Sequence, residues 1–169
     1  MKTIYAKCLL RACAKLQAIV DKIDDLVLKK ALASFMDTSP ASAQYDKILE
    51  HTFQKDILIY INGFIENIYA SFPLQDRIYI DYKYFKKMDK KAYENLDFSS
   101  RAYFRRQLTL IKKFAVELEK KGVDDEFFER ELKKISAVRS IYDQTQREEA
   151  NYNKKTNKKT LPVKVKKSA

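Results

Sequence analysis

Residues 98–118 read Phe-Ser-Ser-Arg-Ala-Tyr-Phe-Arg-Arg-Gln-Leu-Thr-Leu-Ile-Lys-Lys-Phe-Ala-Val-Glu-Leu. Ser99 is a favourable N-cap, and the residues after it predict a helix. Apolar residues recur there at intervals of three and four, so we expect one side of the helix to be buried. These residues are Phe104, Leu108, Ile111, Ala115 and Leu118. At 100° per residue, the opposite side carries Ala102, Arg106, Thr109 and Lys113, flanked by Tyr103 and Arg105.

The residues before this helix predict a partner for it. Asp89-Lys-Lys-Ala-Tyr-Glu-Asn-Leu96 forms a short helix of about two turns, and Asp97-Phe98 forms a tight turn. A short helix, a tight turn and a longer basic helix make the plan of a helix-turn-helix, whose second helix enters the major groove of DNA. The alternative is an ordinary amphipathic helix with a solvated basic face.

The helix-turn-helix interpretation assigns DNA contacts by position. The first residues of the second helix meet base edges, whereas residues around the first helix meet the phosphate backbone. The candidate base-reading residues are Ser100, Arg101, Ala102, Tyr103, Arg105, Arg106 and Thr109. The candidate phosphate-binding residues are Lys86, Lys87, Lys90, Lys91, Ser99, Lys112 and Lys113.

The N-terminal part predicts two long helices. The first runs from about Lys2 to Ser34, and Pro40 follows it in a break. The second runs from about Ala41 to Ala70. The predicted apolar stripe of the first helix is Leu9, Ala12, Leu16, Ile19, Ile23 and Leu26. That of the second is Ile57, Ile61, Phe64 and Ile68, preceded by Tyr45, Leu49 and Phe53. The two helices can form an antiparallel hairpin or pair with a second chain as a homodimer, and the sequence leaves both open.

The remaining segments are also helical or basic. Leu74 to about Lys86 forms a helix after Pro73, Gly122 ends the second helix of the motif, and Asp124 caps a last helix to about Gln146. The expected apolar face of that last helix is Phe128, Leu132, Ile135, Val138 and Tyr142. Gly63 interrupts the second long helix, where we expect a neighbouring helix to approach closely. Residues from Ala150 onward have no apolar period and predict a disordered tail.

The sequence therefore predicts an all-α protein of four parts. Residues 1–72 form a helical hairpin for interaction or dimerisation, and residues 73–122 form the helix-turn-helix module. Residues 123–149 form a C-terminal helix, and residues 150–169 form a disordered basic tail. Two glycines and three prolines in 169 residues are too few to build the turns of a strand-rich fold.

Basic charge is concentrated in two of these parts. Lysine and arginine outnumber aspartate and glutamate by 13 to 7 in residues 73–122 and by 7 to 0 in residues 150–169. The other two parts are nearly balanced or acidic, at 9 to 8 and 5 to 8. Clustered positive charge is typical of proteins that bind a polyanion, usually nucleic acid. The alternative is lysine enrichment that serves solubility.

Other classes of function lack the residues they need. The chain has one histidine, His51, and two cysteines, Cys8 and Cys13, whose spacing places them on different faces of a helix. We therefore predict no catalytic residue, no metal site, no cofactor and two unpaired thiols. We find no apolar run long enough to cross a membrane and no signal peptide, so we expect a cytoplasmic protein without membrane contact.

Two stretches carry a resemblance to known families. Phe72-Pro73 followed by Leu74–Phe85 resembles the opening helix of the fourth conserved region of bacterial sigma factors. Residues 98–106, with Ile111-Lys-Lys-Phe-Ala-Val-Glu-Leu118, resemble phage late-gene transcription regulators of the ArpU and RinA type. The resemblance covers about residues 68–120, and Arg101 and Ala102 stand where the family has serine and threonine.

The resemblance implies a function in a bacterial host. It implies a sequence-specific regulator that binds double-stranded DNA and activates phage or prophage late genes together with host RNA polymerase. One alternative is a DNA-packaging subunit similar to a small terminase, which also uses a small helix-turn-helix domain. A second alternative is a helical adaptor that binds only protein.

Overall fold

The computed structural model describes residues 1–34, 36, 41–85 and 100–159, and every regular element in these ranges is a helix. The predicted all-α class is confirmed. The helices are α1 (Thr3–Cys13), α2 (Leu16–Ser34), α3 (Ala41–Ser71), α4 (Leu74–Ile80), α5 (Ser100–Lys120), α6 (Asp125–Phe127) and α7 (Ser136–Lys159). A π-helical turn, Asp81–Phe85, continues α4, and a second one, Phe128–Leu132, continues α6.

Helix α1 lies at the centre of the protein. It packs against α7 and α5 and touches α3 and the first π-helical turn. Its buried residues surround most of its circumference: Tyr5, Ala6, Cys8, Leu9, Leu10 and Ala12. The Tyr5 ring stacks on Phe128 with ring centroids 4.2 Å apart. A helix buried on so many sides organises the core, so the other helices are positioned relative to α1.

The first long helix predicted from sequence is divided in two. A turn at Ala14–Lys15 separates α1 from α2, and the Lys15 N–H donates to the carbonyl of Ala12 instead of Arg11. The prediction of one continuous helix from Lys2 to Ser34 is therefore wrong. The turn allows α1 to lie inside the body while α2 packs along α3.

Helices α2 and α3 form the antiparallel hairpin that the sequence predicts as one of two arrangements. Lys55 Nζ lies 2.7 Å from Asp24 Oδ1, which fixes the register of the two helices. The apolar residues that α3 buries are Leu58, Ile61, Ile65 and Ile68. The buried stripe therefore keeps Ile61 and Ile68 of the predicted one but is rotated from it, because Ile57 and Phe64 are half-buried. Leu26, Tyr45, Leu49 and Phe53, which we expected in buried stripes, are exposed.

The Gly63 hypothesis is also wrong. A Cβ atom placed on Gly63 would meet no heavy atom within 4 Å, so no neighbouring helix approaches closely there.

The helix boundary at residues 122–124 lies where the sequence predicts it. Gly122 has a φ of 81°, the left-handed conformation of a helix C-cap, and the Asp124 carboxylate accepts a hydrogen bond from the Phe127 N–H at 2.7 Å. The predicted apolar face is largely confirmed, because Phe128, Leu132, Ile135 and Val138 are buried, while Tyr142 is half-buried.

The last helix differs from the prediction in its continuity and its length. It consists of α6, the second π-helical turn and α7, and α7 continues to Lys159 instead of ending near Gln146. Two ion pairs with α1, Arg11–Glu148 and Lys7–Glu149, hold α7 beyond the predicted end. Residues 150–159, which we expected to be disordered, are therefore helical. The rest of the predicted tail, 160–169, lies outside the described residues.

Candidate nucleic-acid interface

Helix α5 is held on the body by one side. Leu110, Ile111, Phe114, Ala115 and Leu118 are buried along it, against α1 and α3. The Phe114 ring meets Phe72, at the end of α3, with ring centroids 6.1 Å apart. At the far end of α5, the amino group of Met1 lies 2.9 Å from the Glu119 carboxylate. Both ends of the buried side are thus anchored, and the opposite side faces outward.

The buried side of α5 is only partly the one predicted. Leu108, which we expected to be buried, is 50% exposed. Ile111, Ala115 and Leu118 are buried as predicted, and Leu110 and Phe114 complete the buried stripe, while the side chain of Phe104 lies outside the described residues. At 100° per residue the buried side is rotated by about 50° from the predicted one, which changes which polar residues face outward.

The outward side of α5 carries Arg105, Thr109, Lys112 and Lys113, and all four are exposed. At 100° per residue they lie within about 60° of Thr109. None of the three basic side chains forms an ion pair within the described part of the chain. We call these four residues the α5 basic face. Carboxylates in the described ranges do not neutralise the three cations of this face, so the cations are available to a partner.

Arg106 lies at the edge of this face and has protein partners. Its Nε donates to Asp76 Oδ1 at 2.8 Å, and a terminal guanidinium nitrogen donates to Gln75 Oε1 at 3.1 Å. Asp76 is buried and Arg106 is half-buried, so the pair is partly shielded from water. We predicted that Arg106 reads bases, but here its guanidinium joins α5 to α4. No sequence signal identified Asp76 or Gln75 as its partner.

Helix α4 is itself held firmly beneath that contact. The Tyr69 hydroxyl of α3 donates to Asp81 Oδ2 at 2.7 Å, and the Tyr69 and Phe85 rings lie 5.7 Å apart. Burial, together with this hydrogen bond to Asp81, raises the pKa of Tyr69 to about 12. The hydroxyl therefore stays protonated at neutral pH and keeps donating. Because α4 is fixed on α3, the Asp76–Arg106 pair can set the position of the first turns of α5.

A shallow groove runs beside the α5 basic face. One wall is Ser71 and Phe72 at the end of α3, and the other belongs to α5: Thr109, Lys112, Lys113, Val116 and Glu117. Two lysines therefore border both the groove and the outward face. Val116 lines this groove and is exposed, as is Leu108 elsewhere on α5. Their exposure could not be predicted, because their spacing also fits a buried stripe.

The other predicted contact residues are only partly described. The backbone of Ser100, Arg101, Ala102 and Tyr103 forms the first turn of α5, while their side chains lie outside the described part. Five phosphate-binding candidates and the whole first helix of the predicted motif also lie outside it: Lys86, Lys87, Lys90, Lys91 and Ser99. Of the predicted contacts, the structure thus brings together Arg105, Thr109, Lys112 and Lys113.

The described residues were also expected to lack a metal site, a disulfide and a membrane span. Within the described ranges, no three His, Cys, Asp or Glu side chains are placed to hold a metal ion together. Cys8 is buried, Cys13 is half-buried, and neither is in a disulfide, as expected. None of the described helices combines the length and the apolar character that a membrane span requires.

Comparison with known proteins identifies no relative. No protein-family model, no curated protein and no solved structure matches the chain.

Proposed function

We propose that the protein is a sequence-specific regulator of transcription that binds double-stranded DNA through α5. The observation that carries the proposal is the α5 basic face. It consists of three cations without an ion-pair partner among the described residues and one hydroxyl, on a helix whose opposite side is anchored in the core. An α-helix fits the major groove, and a helix held rigidly on one side can present side chains to base edges in a fixed register.

The residues of the α5 basic face have two different roles. Arg105 lies within the first two turns of α5, where a recognition helix meets bases, and its guanidinium can make two hydrogen bonds to a guanine. Thr109, one turn later, can bond a base or a phosphate. Lys112 and Lys113 lie deeper along the helix and neutralise phosphates without reading sequence. Arg106 supports the reading helix through Asp76 and does not contact DNA.

The biological setting follows from the sequence resemblance. The resemblance supports an activator of phage or prophage late genes that acts in the cytoplasm of a bacterial host, together with host RNA polymerase. The other helix of the motif and its lysines, which the sequence analysis places within residues 86–99, lie outside the described residues.

A protein-binding adaptor remains the second candidate because of one observation. Leu108 and Val116 of α5 are each about half exposed, and Val116 lines the groove together with Phe72. Exposed apolar groups beside cations suit a protein partner as well as DNA. A DNA-packaging subunit would also bind duplex DNA, but it would assemble into a ring.

The test begins with selection of duplexes from a random library, because the target sequence is unknown. Binding of the selected and of scrambled duplexes is then measured at several salt concentrations. Arg105→Ala should lower affinity for the selected site by about 10- to 100-fold and have a smaller effect on scrambled DNA. Lys112→Ala with Lys113→Ala should weaken both alike and reduce the salt slope by about two.

A matched control removes two charges elsewhere. Lys134→Ala with Arg139→Ala changes two exposed cations on α7 and the turn before it, and should leave DNA binding nearly unchanged. Equal losses from both double variants would mean that net charge, not the α5 basic face, drives binding. Absence of DNA affinity at low salt would favour the adaptor, and ring assembly on a packaging sequence would favour the packaging subunit.

A further inference from the structure

The last ten residues of α7 form a helical end that carries only positive charge. The ion pairs between α7 and α1 are made by Glu148 and Glu149. From there α7 continues to Lys159, which adds about 15 Å to the helix at 1.5 Å per residue. Residues 150–159 include four lysines and neither aspartate nor glutamate. We call residues 150–159 the α7 arm.

The cations of this end of α7 fall in a row on the side of the helix away from α1. Three residues of α7 are buried, and at 100° per residue they lie within about 60° of one another: Val138, Ile141 and Thr145. Positions 147, 154 and 158 lie within about 40° of one another, and the centre of this row is about 150° from the centre of the buried side. Arg147 is exposed and forms no ion pair within the described residues. We call Arg147, Lys154 and Lys158 the cationic row.

Lysines at the spacing found in the α7 arm oppose the helix in which they stand. Lys154 and Lys158 are four residues apart, and so are Lys155 and Lys159. Like charges at this spacing destabilise a helix, and the helix dipole favours cations only in the last turn. A polyanion beside the cationic row would remove the repulsion, so the sequence of the arm suits an anionic partner.

The α7 arm begins close to the end of α5 that the proposed function places on DNA. Arg106, in the second turn of α5, bonds to Asp76 at the start of α4. Lys83 stands seven residues after Asp76, about 10 Å along the same helix. Burial raises the pKa of Glu148, but hydrogen bonds and the charges of Arg11 and Lys83 lower it below its usual value. Lys83 is therefore near Glu148, two residues before the arm, and α4 with its π-helical turn connects the two regions.

We propose that the cationic row binds the phosphate backbone of the DNA that flanks the site read by α5. The inference rests on the proposed function, because it takes the duplex bound by α5 as the partner. The helix fixes the spacing of the three cations, so they meet phosphates at one place beside the site without the cost of ordering a flexible chain. Phosphate contacts carry no base information, so the arm adds affinity and leaves sequence preference to α5.

Removal of two lysines tests the contact itself. Lys154→Ala with Lys158→Ala should lower affinity for the selected duplex about tenfold and reduce the salt slope by about two, with the preferred sequence unchanged. Lys134→Ala with Arg139→Ala again serves as the control, because it removes two cations at the other end of α7. Equal losses from the two double variants would overturn the inference, because any two charges would then serve.

A change of backbone at constant charge tests the helical form of the arm. Asn153→Pro keeps all four lysines but removes a helical hydrogen bond and clashes with the preceding turn. It should weaken DNA binding threefold or more. Asn153→Ala is the matched control, since alanine favours the helix at the same position, and it should bind as tightly as the native chain. Circular dichroism checks that only the proline variant loses helix. Equal binding by the two variants would show that the lysines act as a flexible polycation, and the inference would be wrong.

Trimming the selected duplex, first on one side of the site and then on the other, tests where the arm lies. On one side, the loss of flanking base pairs should cost the native chain about tenfold and should cost the Lys154→Ala, Lys158→Ala variant almost nothing. An equal loss in both proteins would overturn the inference. Arg105→Ala separates this result from the proposed function. If its effect on sequence preference persists, only the inference about the arm fails, whereas absence of duplex binding at low salt would overturn both.

Discussion

Replacing Arg106 by alanine should destabilise the fold and leave DNA sequence preference unchanged. The side chains of Arg106 and Asp76 are 27% and 11% exposed, so their ion pair lies between a surface pair and a buried one. Surface pairs contribute about 0.2–1 kcal/mol, and breaking a buried pair costs about 3–5 kcal/mol. Arg106→Ala leaves a largely buried carboxylate without its guanidinium, so we expect a loss of about 2 kcal/mol in the free energy of unfolding.

Replacing Asp76 instead of Arg106 should lower the free energy of unfolding by less. Asp76→Ala leaves the more exposed partner, and Arg106 can still donate to Gln75 and to water. We expect a loss of about 1 kcal/mol and a coupling of about 1 kcal/mol between the two sites in a double-mutant cycle. Arg105→Ala is the matched control: the same residue type, one position earlier and exposed, should change stability by less than about 0.5 kcal/mol.

The assay is urea denaturation of the three single variants and the double variant, followed by binding to selected and scrambled duplexes. For a chain of this size, 2 kcal/mol corresponds to a fall in melting temperature of about 4–8 °C. Arg106→Ala should weaken both duplexes by the same factor, through the position of α5. If Arg106→Ala kept native stability and altered preference at one or two base pairs, Arg106 would be a base-reading residue and the role given to Asp76 would be wrong.

Three further changes test other parts of the structure. Gly63→Ala should stabilise the protein by about 0.5–1 kcal/mol, because alanine favours the helix and its Cβ meets no atom; a lower melting temperature would show a hidden contact. Burial raises the pKa of the Cys8 thiol from 9.0 to about 12, so the folded state keeps the proton that the unfolded state releases. Stability should therefore fall from about pH 9 towards pH 12, and Cys8→Ala should flatten that slope in denaturation curves. Deletion of residues 160–169, which hold three lysines, should weaken all duplexes alike and lower the salt slope by up to about three; a change in preferred sequence would contradict a purely electrostatic tail.

Local signals in the sequence predicted the helix boundary at residues 122–124. Gly122 and Asp124 end and begin helices as predicted, because a left-handed glycine and an N-cap carboxylate act within a few residues of themselves. The apolar face of residues 128–142 was also predictable, since the apolar residues there favour one stripe. In both cases the information needed is contained in a single segment.

The rotation of α5 could not be predicted in the same way. Apolar residues stand at positions 104, 108, 110, 111, 114, 115, 116 and 118, so two overlapping stripes fit the helical period. Contacts with Phe72 and with α1 decide between them, and those contacts depend on the tertiary fold. Arg106 illustrates the same limit, because its partner Asp76 lies 30 residues earlier on another helix.

The acidic segment 123–149 bears on whether α5 is available to a polyanion. Its eight acids could have formed ion pairs with the basic residues of the neighbouring segment 73–122. In that case the basic charge clustered in the sequence would not attract a polyanion. Instead, seven of them bond to groups of their own segment or of α1. These acids are Asp124, Asp125, Glu126, Glu129, Glu131, Glu148 and Glu149. On the N-terminal side, Lys7 and Arg11 are occupied by two of them. The charges that cancel therefore do so within this segment and at its contact with the first residues of the chain, and within the described residues the positive charge of the α5 basic face remains available for a partner.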